Sequence, residues 1–191
     1  MTMTVKKKRD NSVPRVFVHK TADIRGGVAV AASELGGDFL REGAILSAPV
    51  DGLTHVVKTA QTTAEVQAAE KTIKVGKHHN LKVGDFILAA LGAAAVKITA
   101  IDETAKTHDT ITVDTALGAI PLGGFIAEAK EASTAEDKKS ALKYEPQSVN
   151  GTGKPFDPKS NINTDAWVIG VTKGNPVPGF ILDKLKGIIN L

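Results

Sequence analysis

The chain has 191 residues and no cysteine, which excludes disulfides, iron–sulfur clusters, thiolate zinc sites and cysteine nucleophiles. Apolar residues make up 42% and charged residues 24%, the balance of a folded chain, and a formal charge of +3 is too small to argue for nucleic acid by itself. Aromatics are only 4%, so a core must come from Val, Ile, Leu and Ala, and thin β-modules of that kind gain from burial against a partner subunit.

Residues 1–20 read as an extended basic arm. "KKKR" supplies Lys6, Lys7, Lys8 and Arg9, Arg15 follows, and Asn11, Ser12 and Pro14 offer no amphipathic period. A solvated tail is the ordinary reading of such a run; a polybasic tether to an acidic surface is the functional one. The run continues into "DNSVPRVFVHK", which is not the apolar pattern of a signal peptide. No stretch approaches the ~18 apolar residues of a membrane-spanning helix. The protein is therefore expected to act in the cytoplasm that makes it, or in a particle assembled there.

Residues 21–63 have short apolar runs punctuated by glycine, the pattern of a β-rich base domain. Asp51-Gly52, between "AILSAPV" and "LTHVVK", is a hairpin signal because both residues tolerate positive φ. No G-x-G-x-x-G opens a helix here, so no dinucleotide site is expected. Residues 64–130 carry a second β pattern, with "KTIKV", "LKVGDFIL", "AVKITAI" and "DTITV" alternating apolar and polar positions. Between them lie "GKHHN", "DETAKTHD" and "GAIPLGG", all turn chemistry. "GKHHN" is expected to place His78, His79 and Asn80 at the exposed tip of this module.

Residues 131–139 open a polar, alanine-rich connector with room for one short helix. The base domain is expected to resume over 140–191, first through a Pro/Gly/Asn-rich surface loop and then through "AWVIGVT", a buried strand holding Trp167. The final "PGFILDKLKGIINL" sets Ile181, Leu182, Leu185, Ile188 and Ile189 at helical spacing, which predicts a terminal amphipathic helix. Packing on its own chain is the ordinary fate of such a face, and a subunit contact the alternative. The expected architecture is mainly β. Small antiparallel barrel or sandwich modules make it up, with 64–130 inserted into a base of 21–63 and 140–191.

The candidate chemical groups do not converge. Adjacent His78 and His79 point to opposite faces of an extended strand and cannot easily share one metal ion. "NGTGK" has Ser148 where a phosphate loop needs its first glycine and Pro155 where it needs Ser or Thr. Carboxylate pairs such as Asp102-Glu103 and Glu136-Asp137 lie in hydrophilic connectors, and G-x-S-x-G and H-E-x-x-H are absent. No catalytic, metal or cofactor residue is assigned, and no cofactor is expected.

Several stretches together resemble a known group. "LREGAILSAPVDGLTHVVKTA" resembles strand pairs of head decoration proteins of tailed bacteriophages. "TIKVGKHHNLKVGDFI" with "VKITAIDETAKTHDTITVDTALGA" resembles the β-module of phage head fibre proteins, and "ALKYEPQSVNGTGKPFD" with "DAWVIGVTKGNPVP" the segment that follows it. The resemblance is distributed over residues 35–180. It implies a non-enzymatic virion component on the outside of the capsid, often a trimer, bound to the major capsid protein and to copies of itself, with host surface glycans a further candidate partner. Neither nucleic acid nor membrane is an expected partner. A tail or neck protein on the same architecture is the first alternative, and a small RNA- or ribosome-binding β-barrel, favoured by pI and "KVGDFI", the second.

Overall fold

The computed structural model describes residues 15–191, and the chain is mainly β. Short strands lead in: β1 (Phe17–Asp23), β2 (Val28–Val30), β3 (Phe39–Leu40) and β4 (Ile45–Ser47). A continuous run follows: β5 (Thr59–Gln61), β6 (Thr72–Val75), β7 (Phe86–Leu88), β8 (Ala95–Asp102), β9 (Asp109–Val113) and β10 (Phe125–Ala129). The chain closes with β11 (Pro146–Asn150), β12 (Lys154–Pro155), β13 (Ile162–Thr164), β14 (Ala166–Thr172), one helical turn α1 (Gly179–Leu182) and β15 (Ile188–Asn190).

One sheet runs β1-β14-β11-β4, antiparallel throughout, with β15 added parallel to β14. The other runs β5-β10-β7-β8-β9-β6, and its strands come only from residues 59–129. Thr59–Gln61, placed in the base by sequence, is therefore a strand of this second sheet: it pairs with β10 from Phe125 to Ala127. The pairs β2-β13 and β3-β12 complete the first module.

Alternation builds the second sheet's core. Ile73 and Val75 of β6, Ile111 and Val113 of β9, and Ile98 of β8 turn inward, with Ile87 and Ile126 beside them. The sheet curls until its edge strands approach, and Thr62 beyond β5 bridges Val75 at the end of β6. This contact does not complete a ladder, so of the expected barrel or sandwich it is the sandwich-like arrangement that forms, with no closed barrel.

The opposite faces of β7 and β10 present Leu88, Ala127 and Ala129 to the first module. There they meet Ile45, Val149, Val177, Ile181, Leu185 and Ile188 in a shared core. Alanines let the sheet backbones approach closely, so this small-residue face is buried rather than solvated.

Three expectations need correction. The arm is shorter than 20 residues, because β1 begins at Phe17 and pairs with β14. The connector carries no helix: Ser133 bridges Ala95 and Leu142 bridges Ala129. The terminal helix stops at Leu182, and residues 188–190 form a strand. Helical spacing lost there because β14 offers an unpaired edge beyond Trp167, and backbone pairing with it satisfies more polar groups than a short exposed helix would.

Candidate functional site

The described residues separate the sequence-predicted positions. Lys6, Lys7, Lys8 and Arg9 lie outside them, and Arg15 is exposed just before β1. Ile181, Leu185 and Ile188 are buried in the shared core, Leu182 packs against it, and only Ile189, 59% exposed, is free for a subunit contact. Most of the residues predicted to meet another subunit thus fill the chain's own interior.

The loop that follows β6 is the clearest departure. His78 is exposed as expected, but His79 and Asn80 are buried, so "GKHHN" is not a solvated tip. It docks on the first module instead. The Asn80 carboxamide donates to the carbonyls of Gly36 (3.0 Å) and Phe39 (3.1 Å), and the Gly36 N–H returns a bond to the Asn80 carbonyl (2.9 Å). A Cβ on Gly36 would sit 2.2 Å from the Leu81 carbonyl oxygen, so only glycine permits this approach. His78 and Asn80 both adopt left-handed φ, 61° and 58°. Non-glycine residues hold that conformation at a cost of about 1 kcal/mol, offset here by the docking bonds.

Beneath the loop, His79 Nδ1 accepts the Leu81 N–H at 2.9 Å, which places the ring proton on Nε2, 3.4 Å from Asp109 Oδ2. Asp109 also takes an ion pair from Lys77. Burial is the largest influence on His79 and pushes its pKa down to about 4, with Lys77 assisting and Asp109 opposing. The imidazole is therefore neutral near pH 7, held between the Leu81 N–H and the Asp109 carboxylate. Among the described residues no group of three His, Asp or Glu converges as a metal site.

Two adjoining clefts open beside this loop, one of about 100 Å3 and a smaller one, and Arg41, Thr59, His78 and His79 line both. Thr63 and Lys77 border the larger. Neither cleft is lined by a carboxylate. Among the described residues Arg41 makes no side-chain hydrogen bond or ion pair, and desolvation alone lowers its pKa to about 10. Thr59 beside it is 5% exposed.

A second polar cluster lies nearer the shared core. Lys58, 1% exposed, pairs with Asp85 (2.7 Å) and Glu128 (3.2 Å); Lys143 joins Glu128 (3.0 Å) to Glu34 (3.5 Å). Tyr144 donates to Glu34 at 2.7 Å and stacks on His55 with ring centroids 4.1 Å apart. Burial raises the Glu128 pKa against the pull of Lys58. Desolvation draws Lys143 down, but hydrogen bonding to Glu128 and the charges of Glu128 and Glu34 raise it overall. Two lysines here face three carboxylates, drawn from both modules. The network is a cross-brace.

Sequence reasoning passed over Arg41, Lys58 and Glu128. The available signal was a lone charge inside an apolar run: Lys58 in "HVVKTA" and Glu128 in "FIAEA". No protein-family model, curated protein sequence or solved structure matches the chain.

Proposed function

We propose that this protein is a non-enzymatic virion component of a tailed bacteriophage, a head fibre or decoration protein that binds the outside of the capsid as a homo-oligomer. The reading is supported by the distributed resemblance over residues 35–180 and by a mainly β body of two braced sheets.

One surface observation carries it. Among the described residues eight large apolar side chains are exposed, and four of them, Val18, Ile169, Ile189 and Leu191, lie on or beside the neighbouring strands β1, β14 and β15. Val171 pairs in parallel with Ile189, and Ile169 is two residues earlier on the same face. Such a concentration on one sheet marks a contact surface more than scattered apolar residues would. Arg15 is exposed just before β1, the outer strand of that sheet.

Light scattering on the purified chain tests self-association. A trimer mass that falls to monomer in Ile169→Glu/Ile189→Glu, with thermal unfolding preserved, is the expected result. Co-sedimentation with capsids, and labelling on the head surface in electron microscopy, test the partner. Labelling confined to the tail replaces the reading with a tail or neck protein, and salt-sensitive RNA binding replaces it with an RNA-binding one.

A further inference from the structure

We infer that the cleft between the two modules binds a small oxyanion, a phosphate group or a carboxylate, through the guanidinium of Arg41 and the hydroxyl of Thr59.

The buried charges of the described structure have counter-charges, Lys58 with Asp85 and Glu128 and Asp109 with Lys77, and Arg41 is partly buried beside them. Arg41 has none among the described residues, although the cleft it lines is walled by protein of both modules. A half-buried guanidinium with no protein counter-charge is left to pair with solvent or with a bound anion. Guanidinium presents a planar fork of donors that matches two oxygens of a carboxylate or phosphate.

The surroundings select the sign and size of the ligand. No Asp or Glu lines the cleft; the nearest carboxylate shown, Asp109, stands behind Lys77 and His79. Lys77 at its rim is already matched by Asp109, and His79 is neutral, so the net charge presented is that of Arg41. Thr59 adds a hydroxyl donor from a residue that is 5% exposed. Thr63 and the exposed His78 stand at the mouth. A space of about 100 Å3 holds several waters or one small oxyanion, and is too small for a nucleoside. Because Arg41 belongs to the first module and His78 to the second sheet's loop, a bound anion also closes the junction. This inference is independent of the capsid reading, and either can fail alone.

The test is thermal unfolding of the full chain in sodium phosphate, sodium acetate or sodium chloride at equal, low ionic strength. A Tm rise of about 3–6 °C in phosphate or acetate over chloride is expected at roughly ten times the dissociation constant. A larger rise with phosphate assigns the site to phosphate groups; an equal or larger rise with acetate assigns it to carboxylates. Arg41→Met should lose that rise. Arg41→Lys keeps the charge without the fork, and Thr59→Val keeps the fork; each should shrink the rise, and they decide the matter if Arg41→Met fails to fold. Equal Tm in all three salts, or an undiminished rise in these variants, overturns the inference.

Discussion

Lys58 Nζ lies 3.2 Å from Glu128 Oε1, seventy positions away in sequence, with the two side chains 1% and 2% exposed. The pair stands at the rim of the second sheet's core, where the Glu128 N–H also bonds the Lys58 carbonyl at 2.9 Å. Lys143 then links Glu128 to Glu34 of the first module. Removing one partner strands the other in a poor dielectric, whereas removing both strands far less. Lys58→Met or Glu128→Leu alone should cost about 3–5 kcal/mol. The double variant should cost clearly less than their sum, and urea unfolding of all four proteins measures the coupling. Simple additivity would refute the brace.

Stability should fall on acidification through His79. Its folded pKa, about 4, lies below the unfolded value near 6.5, so the unfolded chain binds more protons between those limits. The contribution is fully present above pH 6.5 or so and is lost as pH falls toward 4, up to about 3 kcal/mol in all. His79→Gln should flatten that part of the stability profile. Urea midpoints measured from pH 7.5 to 4.5 decide it, and an unchanged slope in the variant would assign the effect elsewhere.

Two adjacent glycines predict different costs for different reasons. Gly36→Ala drives a Cβ against the Leu81 carbonyl and should destabilise by about 2–3 kcal/mol, with faster hydrogen exchange at residues 77–81. Gly37 has φ +75° and open space around its Cβ position, so Gly37→Ala should cost only about 1 kcal/mol of backbone strain. The reverse order would mean that the loop docks differently.

The C-terminal residues divide between interior and surface. Leu185 is 3% exposed in the shared core, so Leu185→Asp should abolish folding or cost more than about 4 kcal/mol, without releasing folded monomers. Ile189→Asp, on an exposed position, should leave unfolding almost unchanged while weakening self-association. Light scattering beside thermal unfolding separates the two outcomes.

Local patterns were legible where one segment decides its own conformation. Asp51 and Gly52 take φ of 51° and 80°, and Val50 and Leu53 exchange hydrogen bonds of 2.8 and 3.0 Å, the tight hairpin that the dipeptide predicts. The alternation in "KTIKV" and "DTITV" likewise reappears as β6 and β9, paired from Thr72↔Thr112 to Val75↔Asp109. The terminal residues were misread because Ile188 and Ile189 suit a helix by spacing and a strand by branching. A parallel edge on β14 favoured the strand.

The sequence by itself determined a mainly β chain, the positions of its tight turns and which faces of its longer strands are apolar. Those follow from side-chain alternation and glycine geometry within a few residues. Tertiary structure alone decided that His79 and Asn80 are buried, that Lys58 has counter-charges and that Arg41 has none among the described residues. Each of those facts depends on groups brought together from distant parts of the chain, as Gly36 is to Asn80 across 44 positions. Desolvation acts on the assembled surroundings of a charge, and no local pattern encodes them.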